Sequence, residues 1–207
     1  MIDLAADYDS AWKESLTVFF EDFLAFCFPE IHQAINWEVG YETLDIELQE
    51  LTRDSETGRR FADKLVKVTL KSSEQALVLI HVEVQGQSQA YFAERMYIYN
   101  HRLYDRYRQK VFSLAVLGDE DPNWRPDSFG YESWGFQSFI RFPILKLLDY
   151  SLEDLASNTN PFAIIVSTHL QTQTSKNRPN DRFQLKVNLA RRLFKSGYDG
   201  ETIRQLL

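Results

Sequence analysis

Apolar residues near the start of the chain recur at spacings of three and four, which is the pattern of an amphipathic helix. In the segment DSAWKESLTVFFEDFLAFCF these residues are Trp12, Leu16, Phe19, Phe20, Phe23 and Phe26. Ser10 is a candidate N-cap, and Pro29 follows the last apolar position. The pattern therefore predicts a helix that begins near Ser10 and ends before Pro29.

Two β-rich runs, FADKLVKVTL and ALVLIHVEV, are joined by KSSEQ and predict a β-hairpin. If SSE forms the loop and Lys71 opposes Gln75, Asp63 lies directly opposite Glu83. The even-numbered positions of the hairpin are apolar at Val66, Val68, Val78, Ile80, Val82 and Val84. Because strand side chains alternate, we expect these positions to face the core. Asp63, Glu83 and Gln85 would then share the other, more hydrated face.

A helix and a further strand are predicted directly after the hairpin. Ser88 is a candidate N-cap for this helix. The residues on its predicted inner face are Ala93, Met96, Tyr97, Asn100, Leu103, Tyr104 and Tyr107. The run VFSLAVLGD then predicts a short apolar strand. Before the hairpin, ETLDIELQEL fits either a short strand or a helical turn.

The last third of the chain is predicted to be mostly helical. SWGFQSFIRFPILKLLDYSLEDL begins as a strand and turns helical near Ser151, and three later segments, NPFAIIVSTHLQTQ, DRFQLKVNLARRLFKSG and DGETIRQLL, have helical patterns. We therefore expect an α/β (α+β) protein with a core over residues 1–150. Residues 151–207 would form a helical annex packed on that core. Whether the natural chain continues past Leu207 stays open, because no C-cap is visible there.

Composition narrows the class of protein. The chain has 207 residues, 44% of them hydrophobic, which is sufficient for one domain with a full core. Its net charge of -7 argues against broad non-specific affinity for nucleic acid, but a local basic patch is compatible with it. The polar, acidic N-terminus predicts a cytoplasmic protein without a membrane partner. Cys27 has apolar neighbours, so we expect a buried hydrophobe and not a nucleophile.

The acidic positions of the hairpin resemble a known family. Asp63 in FADKLVKV, followed by Glu83 and Gln85 in IHVEVQGQ and then by a helix, resembles the PD-(D/E)XK nuclease superfamily. Within it, the chain resembles the YhgA-like group of recombination-promoting nucleases and transposase-like proteins, and the resemblance extends over about residues 10–118. It implies a restriction-endonuclease-like core, in which helices flank a central mixed four-stranded sheet.

The same resemblance implies a metal site and a reaction. Asp63 and Glu83 would bind Mg²⁺ or Mn²⁺, the Val84 carbonyl would be a further ligand, and a water on the metal would attack a phosphodiester of DNA. Gln85 stands where the superfamily usually has lysine. A lysine contributes charge that helps to deprotonate the water, whereas an amide positions it through hydrogen bonds. Asp63, Glu83 and Gln85 are therefore the predicted catalytic residues.

The predicted helix after the hairpin supplies a candidate DNA surface. Between Gln87 and Lys110 there are five basic residues and two acidic ones. Arg95 and Arg102 are seven residues apart and so lie on the same side of a helix, where they could follow a phosphate backbone. The tyrosines of this helix could stack on bases, although their helical spacing fits core positions better.

Two functions are compatible with the sequence. The first is a Mg²⁺-dependent DNA endonuclease, which the family name links to recombination or mobile elements. The second is a nuclease-fold protein that does not cut DNA and serves as a DNA-binding or oligomeric module, with a homodimer among the options. A structural alternative for the two carboxylates also stays open, since Arg59, Arg60 and Lys64 are near enough in sequence to form salt bridges with them.

Overall fold

A computed structural model describes residues 12–46, 48, 62–83, 91–174, 179–195 and 197–205 of the chain. It divides into two compact units. One comprises Gln33–Leu145 and carries the β-strands of the sheet, and the other combines Met1–His32 with Lys146–Leu207 and is helical. The division into a core over residues 1–150 and an annex packed on it stays a prediction. In the part of the chain that is described, no helix is both long and apolar enough to cross a membrane.

The fold is mixed α/β. The strands are β1 (Tyr41–Thr43), β2 (Ala62–Thr69), β3 (Gln75–Glu83), β4 (Lys110–Leu117), β5 (Ser128–Ser133), β6 (Phe136–Arg141) and β7 (Ile144–Lys146). The helices of the described residues are α1 (12–18), α2 (Phe20–Cys27), α3 (Pro29–Ala34), α4 (Phe92–Tyr107), α5 (Leu152–Ser157), α6 (Pro161–Thr174), α7 (Pro179–Lys195) and α8 (Gly200–Gln205). Residues 45, 46 and 48 are also helical, so ETLDIELQEL contains both a strand end and a helical segment.

The main sheet has five strands in the order β1-β2-β3-β4-β7. β1, β2 and β3 are antiparallel neighbours, whereas β3 and β4 are parallel and are connected through α4. The predicted hairpin, helix and strand are thus confirmed in order and type. The predicted number of four strands is wrong, because the three-residue β7 adds a fifth strand beside β4. Such a short strand leaves almost no periodic signal in the sequence.

The hairpin register differs from the prediction by two residues. Thr69 pairs with Gln75, and Asp63 pairs with His81, so the predicted direct opposition of Asp63 and Glu83 is wrong. The loop is the cause. Residues 71–73 form a three-residue turn that ends with Ser73 at a φ of 67°, a left-handed conformation typical of three-residue hairpin loops.

Helix α4 covers one face of the sheet. Its buried side chains are Phe92, Met96, Tyr99 and Leu103. They pack in two clusters with Leu44, Leu48, Leu65, Leu77 and Leu79, and with Ala115, Leu117 and Phe142. The prediction of the inner face of this helix is partly wrong, because Tyr104 was assigned to that face and is 52% exposed.

Both faces of the hairpin are buried near its centre. Leu65, Leu77 and Leu79 lie under α4, so the expectation of a hydrated odd-numbered face is wrong at these positions. Val66 and Val78 on the even-numbered face are buried as well, as predicted. A parallel strand pair that is joined through a helix is covered on the face where that helix packs, which explains the apolar odd-numbered positions.

The helical unit contains most of the predicted C-terminal helices. Helices α6, α7 and α8 confirm the three predicted segments, and Ser151 caps α5 by accepting a hydrogen bond from the Asp154 N–H. The predicted first helix is divided at Phe19, whose φ of -120° and ψ of 39° depart from helical geometry. Cys27 is buried, and burial raises the pKa of its thiol well above the ordinary value, which confirms its predicted apolar role.

A second, two-stranded sheet is formed by β5 and β6. β6 lies where SWGFQSFIRF was predicted to begin as a strand, whereas β5 and the hairpin were not predicted. Its turn has Trp134 at a φ of 52° and Gly135 at a φ of 80°. Positive φ at both central residues of a two-residue loop is the conformation of a type I′ hairpin turn. Tyr97 of α4 contacts this sheet through a hydrogen bond to Ser138 and through the ring of Phe129.

Candidate functional site

The two predicted acidic residues lie at one end of the main sheet. Asp63 is the second residue of β2, and Glu83 is the last residue of β3. Glu83 pairs with Leu117, which ends the parallel strand β4. In open α/β sheets, ligands bind beyond the carboxyl ends of parallel strands. The backbone positions of Asp63 and Glu83 are therefore at an end of the sheet where a ligand site is expected.

Asp63 and Glu83 are diagonal neighbours in the β2–β3 ladder. Asp63 is paired with His81, and Glu83 follows His81 by two residues along β3. Diagonal positions of an antiparallel pair are about 7–8 Å apart, a separation that long side chains can bridge. Val84 and Gln85 lie outside the described residues, so their predicted roles remain predictions.

Lys64, the residue after Asp63, is buried and forms an ion pair with a partly buried acid. Its side chain is 1% exposed, and Nζ donates to Oδ2 of Asp45 at 2.8 Å. Asp45 is itself 22% exposed on its side chain. Lys64 was an expected salt-bridge partner for the site carboxylates, but its described ion pair is with Asp45.

The backbone pairing between β1 and β2 stops just before Asp45. The ladder extends to the pair Thr43 and Val66, and the Leu44 N–H then donates to the Leu65 carbonyl at 2.8 Å. One step farther, Oδ1 of Asp45 accepts a hydrogen bond from the Leu65 N–H at 3.3 Å. A buried backbone N–H requires an acceptor, and here a side chain supplies it where the neighbouring strand has ended.

A sequence signal for this pair existed in the parity of β2. Lys64 has the same parity as Val66 and Val68, both of which are buried. A charged side chain in a buried row requires a counter-ion, because an unpaired buried charge is costly. Asp45 was harder to identify, since it is nineteen residues away in a segment with weak periodicity.

A buried acid, Asp119, follows β4 and was also missed. It is 2% exposed and lies two residues after Leu117, the partner of Glu83. Its Oδ1 accepts a hydrogen bond from the Asp121 N–H at 2.9 Å. This bond is that of an Asx-turn, which is a structural role. Residues 118–127 connect β4 to β5, which begins at Ser128.

The predicted DNA-contacting arginines occupy α4. Arg102 is exposed, whereas Arg95 is partly buried with its guanidinium carbon 5.6 Å from the centre of the Phe92 ring. Arg106 is exposed one turn after Arg102, so the side of the helix with Arg95 and Arg102 extends further than predicted. Their contact with DNA stays a prediction.

Two further findings concern the identity of the site. Within the described ranges, no group of three or more His, Cys, Asp or Glu residues is arranged to hold a metal ion. Asp63, near the start of β2, and Glu83, at the end of β3, are brought close by the backbone pairing of these two strands. Comparisons of the chain with protein-family models, with curated proteins and with solved structures found no match.

Proposed function

We propose that this chain is a Mg²⁺-dependent DNA endonuclease with a restriction-endonuclease-like core. The observation that carries the proposal is the diagonal pairing of Asp63 and Glu83 on adjacent strands of a mixed α/β sheet. The order of elements supports it, because a β-hairpin is followed by a helix and by a strand parallel to the second hairpin strand. These are the elements that carry the E-x-K type of motif in the family that the sequence resembles.

The donor set fits a hard divalent cation. Mg²⁺ prefers oxygen ligands and takes one or two protein carboxylates together with waters and substrate phosphate oxygens. Asp63 and Glu83 would hold the ion, with the Val84 carbonyl as a further ligand; Mn²⁺ has the same preference for oxygen ligands. When bound, the cation would polarise the scissile phosphate and activate water for attack. The proposal is compatible with the two-residue difference in register, because the diagonal positions of Asp63 and Glu83 are close enough to share a cation.

The chain's own groups would orient the reactants. Gln85 can donate and accept hydrogen bonds and would position the attacking water, although it supplies no charge. Lys64 is engaged in a 2.8 Å ion pair with Asp45, so we assign it no part in activating the water. Arg95 and Arg102 would bind the phosphate backbone of DNA. We further propose a cytoplasmic location, in which Mg²⁺ is the natural cofactor.

A plasmid-cleavage assay with and without Mg²⁺ tests this function. Glu83→Ala should abolish metal-dependent cleavage. In EDTA this variant should unfold at the same urea concentration as the wild type or slightly higher, because removing one of two adjacent carboxylates relieves their repulsion. Mg²⁺ should raise the unfolding midpoint of the wild type alone, since a ligand stabilises only the protein that binds it.

The control is Glu74→Ala at the opposite end of the same hairpin, where Glu74 forms a 2.9 Å surface ion pair with Lys110. Its cleavage activity should equal that of the wild type. Strong destabilisation of Glu83→Ala in EDTA, together with unaltered cleavage, would show that Glu83 is a structural carboxylate.

The alternative proposal is a nuclease-fold module that binds DNA, or forms a homodimer, without cutting. The observation that favours it is Gln85 at the usual lysine position. DNA binding by the wild type without cleavage in Mg²⁺ or Mn²⁺ would favour this alternative over the enzyme. Sedimentation of the free protein at two concentrations measures whether a dimer forms.

A further inference from the structure

We propose that Asp45 is a positioning residue for the metal ligand Asp63, and that it acts through Lys64 and the backbone of Leu65. The inference rests on the proposed metal-dependent function. Asp45 would not touch the metal or the DNA. Its role would be to fix the first residues of β2, and with them the backbone from which the Asp63 carboxylate extends.

The geometry of the pair supports this role. One carboxylate holds two consecutive residues of β2, because Oδ2 accepts from Lys64 Nζ at 2.8 Å and Oδ1 accepts from the Leu65 N–H at 3.3 Å. Both of these residues follow Asp63 directly in sequence. β1 has already ended at Thr43, so Asp45 supplies the hydrogen bond that a longer β1 would have made at this point of β2.

Stability alone is a poor explanation for this pair, in which Lys64 is buried and Asp45 partly buried. Taking two charges out of water costs free energy that their attraction often fails to recover, so buried ion pairs can commonly be replaced by apolar residues without loss of stability. What an apolar pair cannot supply is the directional acceptor for the Leu65 N–H. Replacing a polar group that orients a metal ligand from outside the coordination shell typically lowers metal affinity or activity by about 10–100-fold.

A neighbouring ion pair between β1 and β2 provides a control. Glu42 of β1 lies opposite Lys67 of β2, and their charged atoms are 3.8 Å apart. The side chains of Lys67 and Glu42 are 32% and 65% exposed. Like the pair of Asp45 and Lys64, this pair ties the chain around β1 to β2, but it is more exposed and farther along β2 from Asp63. An exposed pair of this kind contributes little to stability.

The experiment compares three proteins at a temperature where all are folded: the wild type, the double variant Lys64→Met/Asp45→Leu, and Glu42→Gln. The double variant removes both charges of this ion pair together, but it also takes the acceptor from the Leu65 N–H, so its urea midpoint should fall modestly below that of the wild type. Its Kd for Mn²⁺, measured by calorimetry, should rise by about tenfold or more, with a matching fall in plasmid cleavage. Glu42→Gln should leave both quantities unchanged.

The Kd of Asp45→Asn for Mn²⁺ should lie between those of the wild type and the double variant. Its amide oxygen can still accept a hydrogen bond from the Leu65 N–H, although the charge is removed. A double variant that binds Mn²⁺ and cleaves DNA like the wild type would overturn the role of Asp45 and leave the proposed nuclease intact. A wild type that neither binds Mn²⁺ nor cleaves DNA in its presence would overturn the nuclease itself, and the positioning role with it.

Discussion

At the scale of single residues, Asp22 in the first turn of α2 is an acid that folding makes harder to ionise. Burial raises its pKa above the ordinary value of 3.8, the charge of Glu21 raises it further, and His32 lowers it. The folded state therefore binds this proton more tightly than the unfolded state does. The resulting stabilisation is present below the ordinary pKa and is lost as the pH rises through the raised one.

We expect Asp22→Asn to raise the urea midpoint at pH 7, because the amide avoids the cost of a half-buried charge. The gain should shrink as the pH falls toward 3.8, where the native carboxyl group is increasingly protonated in the folded and unfolded states alike. Glu132→Gln in the exposed part of β5 is the control and should have little effect. A gain for Asp22→Asn that is independent of pH would contradict this explanation.

At the scale of elements, the β5–β6 hairpin depends on a close approach at Gly130. A Cβ at this position would be 2.6 Å from Phe139 Cδ2 and 2.7 Å from the Ser138 carbonyl oxygen. The carbonyl belongs to the paired strand and cannot move without disturbing the ladder. Gly130→Ala should therefore destabilise the protein by about 1–3 kcal/mol, the usual cost of overpacking, as measured by urea denaturation.

Gly200→Ala is the comparison for this change. Gly200 begins α8, and a Cβ there would have no atom within 4 Å. Because alanine is the better helix former, this variant should match the wild type or exceed it slightly in stability. Equal stability of Gly130→Ala and Gly200→Ala would mean that the hairpin adjusts to the extra methyl group.

The elements also differ in how far the sequence could predict them. Strands β2 and β3, helix α4 and the C-terminal helices have long periodic patterns, and these predictions are confirmed in type. The hairpin register depended on the left-handed residue Ser73, which no glycine marks in KSSEQ. Likewise, Trp134 replaces the Asn or Asp that usually signals a type I′ turn, so β5 and the hairpin were missed, although β6 lies in a segment that was predicted to begin as a strand.

The candidate site was predictable to the same extent. Asp63 and Glu83 were expected on paired strands, and they are on paired strands, but their alignment depended on the turn. The ion pair of Lys64 with Asp45 requires a contact between distant segments, which a local pattern does not contain.

At the scale of the whole molecule, a net charge of -7 opposes the approach of DNA. The proposed DNA binding would therefore depend on a local basic surface, for which the arginines of α4 are the candidates. Replacing Arg95 and Arg102 with alanine should weaken DNA binding, and it should reduce the slope of log K against log salt by about 0.9 for each phosphate that the protein no longer neutralises. Fluorescence anisotropy of a labelled duplex over a salt series measures both quantities.

The charge-matched control replaces Arg191 and Arg204 with alanine. Both residues are exposed in the helical unit, and each double variant changes the net charge by two, from -7 to -9. If the α4 surface binds DNA, only the Arg95 and Arg102 variant should show a weaker salt dependence. An equal effect in the two variants would mean that the overall charge governs binding.

The division of the helical unit along the chain has a consequence for biosynthesis. Trp12 donates a hydrogen bond to His169, which is translated 157 residues later. The ring of Phe23 contacts the ring of Phe162, which is also translated much later. Domains generally fold as units during synthesis. The unit Gln33–Leu145 is translated completely before the C-terminal helices of the other unit. We therefore expect the N-terminal helices to expose their aromatic side chains to chaperones until the C-terminal helices of the same unit have left the ribosome.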